Sequence, residues 1–268
     1  MNNKMKRALL LAIVLTALGG GLRAELSSFK TTLTVLTGWE TNSDSHMAGL
    51  RIDVPAGWKT YWRAPGDAGI PPKITWSGST NIASVAFHWP VPKVFDQAGM
   101  RSIGYYDSVT IPIEVFPTSA GDMRLAGVIE IGVCQDICVP VTLDFDAVLP
   151  RGGKRDAAIT AALLNRPLTA QEAGAGDMTC TVKPIDGGMQ ITATTPLTQN
   201  GPEAIVIETS NPYVWVSEPK VARTATRITA TSDLIHVDGT SFAVDRAGIR
   251  MTVLGASRAV DIQGCAAG

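Results

Sequence analysis

The chain has 268 residues, and its 23 Lys and Arg nearly balance its 24 Asp and Glu, leaving a formal net charge of −1. That balance supplies no strong field for recruiting nucleic acid or anionic lipid, so the partners to look for are proteins. The length suits one large domain or two small ones, and with 45% hydrophobic residues there is material for a sizeable core.

Lys4, Lys6 and Arg7 open the chain, an apolar run follows at 8–18, and Leu22, Arg23 and Ala24 precede a more polar sequence. This is the layout of a secretory signal peptide covering residues 1–24, with cleavage after Ala24. Its apolar run is about eleven residues, whereas a membrane-spanning helix needs roughly twenty. Charged residues, Gly or Pro interrupt every later apolar run, so the expected product is exported and roughly 244 residues long.

Between residues 26 and 150 the sequence reads as short strands, for example at 31–36, 47–54, 109–116 and 123–131. Thr, Val and Ile are abundant there, and Gly and Pro mark the turns. The spacing suits a β-sandwich. A polar stretch from Arg151 to Arg155 then opens a linker, 151–176. Inside it Asp156 can cap a short helix with apolar positions Ile159, Ala162, Leu163 and Leu164, which Pro167 ends. Strand-like runs resume at 179–182, 190–194, 204–207, 213–216, 234–237 and 249–253. They are expected to form a second, smaller β domain, 177–268, with no clear sequence repeat of the first. The fold class is therefore all-β.

There are four cysteines, Cys134, Cys138, Cys180 and Cys265. Three pairings are possible, and sequence alone does not choose among them. Their distribution favours Cys134 with Cys138 in the first domain and Cys180 with Cys265 across the second. In the chain-entropy picture the long ring stabilises by roughly 4 to 5 kcal/mol and the short one by about 2, so Cys180 and Cys265 make the better structural disulfide. In an extended strand, cysteines four apart would hold their Cα atoms about 13 Å apart, beyond the roughly 7 Å a disulfide tolerates. The backbone must therefore fold back through Gln135, Asp136 and Ile137. Asp136 disfavours a free thiolate and no Lys or Arg is close in sequence, so the pair is better suited to being attacked than to attacking.

Three uses remain open for "GVCQDICVP" at 132–140: a small inert disulfide, a metal clamp, or an exchangeable pair. For metal, C-x3-C supplies two soft ligands, and His46, His88 and His236 are too scattered to complete a zinc set. Copper(I) could draw on Met100 or Met123. No hydrolase elbow, zinc-protease helix or phosphate loop is present, and no cofactor is implied.

Four blocks in order, "GWKTYWRAPGDAGIPPKITW" (57–76), "WPVPKVF" (89–95), "GYYDSVTIPIEV" (104–115) and "GVCQDICVP", resemble the periplasmic N-terminal domain of DsbD-type thiol:disulfide interchange proteins, in particular the ScsB-like branch. The resemblance implies an immunoglobulin-like sandwich in the periplasm, with Cys134 and Cys138 as its redox pair and Cys134 forming the mixed disulfide. Implied partners are thioredoxin-like periplasmic oxidoreductases and a membrane electron transporter. The sequence up to Gly268 contains no C-x-x-C module, so both would be separate chains. Best-known members have C-x5-C where this sequence has C-x3-C, and they cap the pair with an aromatic loop. The segment 95–99, with Phe95 and Asp96, stands at that place. Tyr61, Trp62, Tyr105 and Tyr106 are further candidates for the wall of the site, although Trp58, Tyr61, Trp62 and Trp76 also suit a sandwich core.

Overall fold

The computed structural model describes residues 30–97 and 99–268. Residues 1–24, read as a signal peptide, fall outside them. Among the described residues no helix is long and apolar enough to cross a membrane.

Among the described residues ten strands make up the first half: β1 (Thr32–Glu40), β2 (His46–Asp53), β3 (Lys59–Tyr61), β4 (Lys73–Thr75), β5 (Ser84–Phe87), β6 (Lys93–Gln97), β7 (Met100–Tyr106), β8 (Ser108–Phe116), β9 (Met123–Cys134) and β10 (Cys138–Leu149). One sheet is ordered β1-β2-β8-β5, and the other β10-β9-β3-β7-β6 with β4 on β9. Alternation drives the packing. In β8 the residues Val109, Ile111, Ile113 and Val115 are buried, and in β9 Leu125, Ile129, Ile131 and Val133 meet them across the sandwich. This is the all-β, immunoglobulin-like architecture.

The helix forms as its cap predicts. In α1 (Ala157–Leu164) the Asp156 side chain accepts hydrogen bonds from the backbone N–H groups of Ala158 and Ile159. Ile159 is fully buried beside Trp39 and Met47, and Gly49 makes room for it, since a Cβ there would lie 2.9 Å from Ile159 Cγ1. Leu164, expected on the apolar stripe, is instead exposed: the stripe of so short a helix reaches the sheet only through Ile159 and Leu163. The polar segment before the helix is tied down as well. Gly152 and Lys154 bond to Glu40 and Gly38, and the Arg155 guanidinium lies 5.3 Å from the Trp39 ring centroid.

The second half comprises β11 (Leu168–Thr169), β12 (Thr179–Ile185), β13 (Gly188–Pro196), β14 (Ala204–Glu208), β15 (Val214–Val216), β16 (Lys220–Arg223), β17 (Arg227–His236), β18 (Arg250–Leu254), β19 (Ala259–Gln263) and β20 (Ala266–Ala267). These strands form sheets ordered β11-β19-β18-β14 and β15-β17-β13-β12-β20, with β16 on β17. The four-plus-six layering of the first half thus recurs in fewer residues. One face of β14, β18 and β19 packs inward through Ile205, Ile207, Met251, Val253, Val260 and Ile262. The alternate residues face the first half, where Leu254 and Ala259 share a buried cluster with Trp62 and Trp89.

Candidate functional site

The structure pairs Cys134 with Cys138 and Cys180 with Cys265 as disulfides. β9 runs on past the expected end at residue 131 to reach Cys134, and β10 starts at Cys138, so the cysteines face each other at the mouth of a hairpin with Cα atoms 4.1 Å apart. Gln135, Asp136 and Ile137 close its tip, where the Gln135 N–H donates to the Ile137 carbonyl at 3.0 Å. Ile137 stands out as a large exposed apolar residue beside the sulfurs.

Strand alternation decides which candidates can reach this pair. In β9 the odd positions point into the sandwich, so Gly132 and Cys134 lie on the outer face. An outward-facing cysteine would ordinarily be wet, yet Cys134 is only 1% exposed, while Cys138 is exposed. Around Cys134 on this face stand Lys59, its partner across the ladder, Tyr61 at the end of β3, and Ile70 in the segment that joins β3 to β4. A Cβ built on Gly132 would fall 2.9 Å from Ile70 Cβ and 3.1 Å from Tyr61 Cε2, so glycine is what lets these two side chains lie on the sheet next to Cys134. The Tyr61 hydroxyl is 3.5 Å from Cys138 Sγ and 3.5 Å from the Ala68 carbonyl oxygen. A disulfide sulfur carries no proton, so the hydroxyl is the donor to either, and burial raises its pKa and keeps it protonated.

Lys59 belongs to the same face and was not expected from the sequence. Its Cα pairs with Cys134 on one side and Tyr106 on the other. The side chain is buried, donates to Ser102 Oγ at 3.1 Å, and places its ammonium 5.0 Å from the Phe95 ring centroid and 5.9 Å from that of Tyr61. Burial pushes the ammonium pKa down. Phe95 is buried and meets Tyr106 edge to face at 4.7 Å. The outer face therefore carries a continuous row, Phe95, Lys59, Tyr61 and the disulfide.

Other candidates go elsewhere. Trp62 and Tyr105 point into the sandwich, where Trp62 is fully buried and the Tyr105 hydroxyl donates to the Pro90 carbonyl at 2.8 Å. Burial raises the Tyr105 phenol well above its ordinary pKa, against a smaller opposing pull from Arg63. Tyr105 and Tyr106 end β7, just before β8 begins at Ser108. Asp96 is exposed and lies 3.6 Å from Arg101, and Ala98 of the same segment lies outside the described residues. Met123 sits eleven positions from Cys134 along β9, roughly 36 Å away, too far to complete a copper site. Among the described residues no three His, Cys, Asp or Glu side chains are grouped as metal ligands.

Residues 33–150, the segment that contains this hairpin, match the family described as thiol:disulfide interchange protein DsbD, N-terminal. That segment belongs to the DsbD N-terminal family. The N-terminal periplasmic domain of ScsB from Proteus mirabilis has a similar structure, with a TM-score of 0.58 at 21% identity, covering 88% of this chain and 100% of that one. At this identity the likeness is one of fold, and it carries the comparison beyond the DsbD segment into the second pair of sheets. No curated protein matches the chain.

Proposed function

We propose that the protein is an exported, periplasmic carrier of reducing equivalents, which passes them between thioredoxin-like proteins through the Cys134–Cys138 dithiol and disulfide. In this reading residues 26–150 form the redox unit, 151–176 a linker, and 177–268 a second β unit. The carrying observation is the asymmetric setting of the pair within a DsbD N-terminal segment: Cys138 is exposed at a hairpin mouth, and Cys134 is buried, with Tyr61 and Ile70 lying on the neighbouring Gly132. The N-terminal sequence pattern and the fold likeness to a periplasmic domain support the location.

The exchange balances within the two proteins. A partner thiolate attacks the sulfur of Cys138, the exposed residue of the pair, an intermolecular S–S bond forms as the Cys134–Cys138 bond breaks, and Cys134 leaves as a thiolate that takes up a proton. The partner's second thiolate then attacks its own sulfur in the mixed disulfide, which frees Cys138 as a thiol. Two electrons have then passed to this chain, and the partner holds the disulfide. Access to the sulfurs thus favours Cys138 as the point of attack, the reverse of the order implied by the resemblance.

The test uses a thioredoxin-like protein reduced to its first active-site cysteine and activated as a mixed disulfide with thionitrobenzoate. Cys134→Ser retains the exposed thiol; it should displace the coloured anion and appear as a covalent complex on a non-reducing gel. Cys138→Ser should react at least about tenfold more slowly, because its thiol is covered. If neither variant forms the complex, the carrier reading fails.

A further inference from the structure

The segment that covers the disulfide is held from two sides. On its own half, the Ile103 N–H donates to the Pro65 carbonyl at 2.8 Å and the Ala68 N–H to that of Arg101 at 3.4 Å. Gly66 makes the turn at φ 77°, a conformation that favours glycine. Across the junction, Arg63 at the start of the segment forks onto Glu208, with Nε to Oε1 at 2.9 Å and Nη2 to Oε2 at 3.0 Å. The same Nη2 donates to Thr252 Oγ1 at 3.2 Å and lies 3.9 Å from Asp261 Oδ2. Below, the guanidinium is 4.0 Å from the Trp62 ring centroid. Arg101, whose carbonyl anchors Ala68, reaches Glu218 at 2.6 Å. A cleft of about 410 Å³ lies between the halves, with Arg63, Gly66, Gly69 and Arg101 on one wall and Glu208 and Glu218 on the other.

Two features make the Arg63–Glu208 pair more than a surface contact. Both side chains are mostly buried, 14% and 18% exposed, so solvent screens the fork only weakly, and its planar bidentate form fixes direction as well as distance. The pair also stands at one end of a segment whose other end is the cover. Tyr61 precedes Arg63 by two residues, Ala68 accepts from Tyr61, and Ile70 rests on Gly132 next to Cys134.

We propose that Arg63 and Glu208 are positioning residues which hold the 62–72 segment down on the sheet face beside Cys134, so that the second pair of sheets governs how readily thiols reach the disulfide from its buried Cys134 side. This rests on the carrier reading for its biological use. The geometry concerns only access, and it can be tested whether or not the pair serves as a carrier. Losing the fork frees the segment to lift, which opens a path to the Cys134 sulfur in addition to the one already open at Cys138.

The experiment measures the second-order rate at which dithiothreitol reduces Cys134–Cys138 in the full chain, followed by alkylation and mass spectrometry. Glu208→Gln keeps the shape and removes the charge, and it should raise the rate roughly tenfold, the scale expected for loss of one charge-assisted fork. Glu203→Gln is the control. It breaks the comparably buried Arg223–Glu203 pair, which lies wholly within the second half, and should leave the rate unchanged even though thermal stability falls. Arg63→Gln combined with Glu208→Gln should be no faster than the faster single variant, since both remove the same contact. Equal rates in Glu208→Gln and the unaltered protein overturn the proposal, as does an equal acceleration by Glu203→Gln. A faster dithiothreitol reaction together with failure of both single-cysteine variants to trap a thioredoxin-like protein would keep the positioning role and reject the carrier.

Discussion

Replacing Cys180 and Cys265 together by Ala removes a bridge between residues 85 apart in sequence, whereas Cys134 and Cys138 are separated by 4. Loop-closure entropy assigns roughly 4 to 5 kcal/mol to the long ring and about 2 to the short one. The structure shows what the long bridge retains. Cys180 is fully buried in the second core, and Cys265 tethers the short terminal strand β20, which pairs with β12 at Thr179 and Cys180. Ala is a cleaner probe than Ser here, because a hydroxyl left unsatisfied in that core would add about 1 to 3 kcal/mol of its own. Urea unfolding under non-reducing conditions, followed by tryptophan fluorescence and circular dichroism, compares the two double variants. Cys180→Ala with Cys265→Ala should lose roughly twice the stability lost by Cys134→Ala with Cys138→Ala. Equal or reversed losses would refute the division between a bridge that holds the fold and one that is free to open.

Two further outcomes follow from the local geometry. Gly132→Ala puts a Cβ 2.9 Å from Ile70 and should push the cover off, so that Cys134 in the reduced protein is alkylated faster by iodoacetamide; an unchanged rate would show that Ile70 and Tyr61 are not its cover. Glu172 accepts from Arg166 and from the Thr169 N–H, which lowers its pKa from 4.5 to about 2. Because the folded value is the lower one, its contribution to stability is complete above pH 4.5 and disappears as the pH falls through about 2. Thermal midpoints of Glu172→Gln and the unaltered protein should therefore differ most above pH 4.5 and converge near pH 2, and a constant gap would refute the linkage.

Much of this architecture is legible in the sequence, because alternation and capping are local signals. The alternating Val109, Ile111, Ile113 and Val115 mark β8 and its buried face, and Asp156 marks the start of α1. The same alternation also limits the site, since adjacent residues of a strand cannot both line one face: Tyr61 and Trp62 part company, as do Tyr105 and Tyr106. What stayed hidden depends on long-range approach. Nothing in the sequence around Lys59 signals its burial, which comes with its pairing to Cys134 and the nearby rings of Phe95 and Tyr61. Ile70 lies among Gly and Pro, and nothing near Gly132 announces that its missing side chain makes room for Ile70. Arg63 meets Glu208 across 145 positions of sequence, a pairing no local pattern encodes.

The reduction potential of Cys134–Cys138 tests the central claim most directly. It can be read by equilibrating the protein in glutathione or dithiothreitol buffers, alkylating the free thiols and weighing the products, with Cys180–Cys265 as an internal reference. An exchangeable pair should titrate well above the roughly −300 mV below which structural disulfides lie. A pair that stays oxidised below about −300 mV would contradict the carrier account and leave an inert bridge at the mouth of the hairpin.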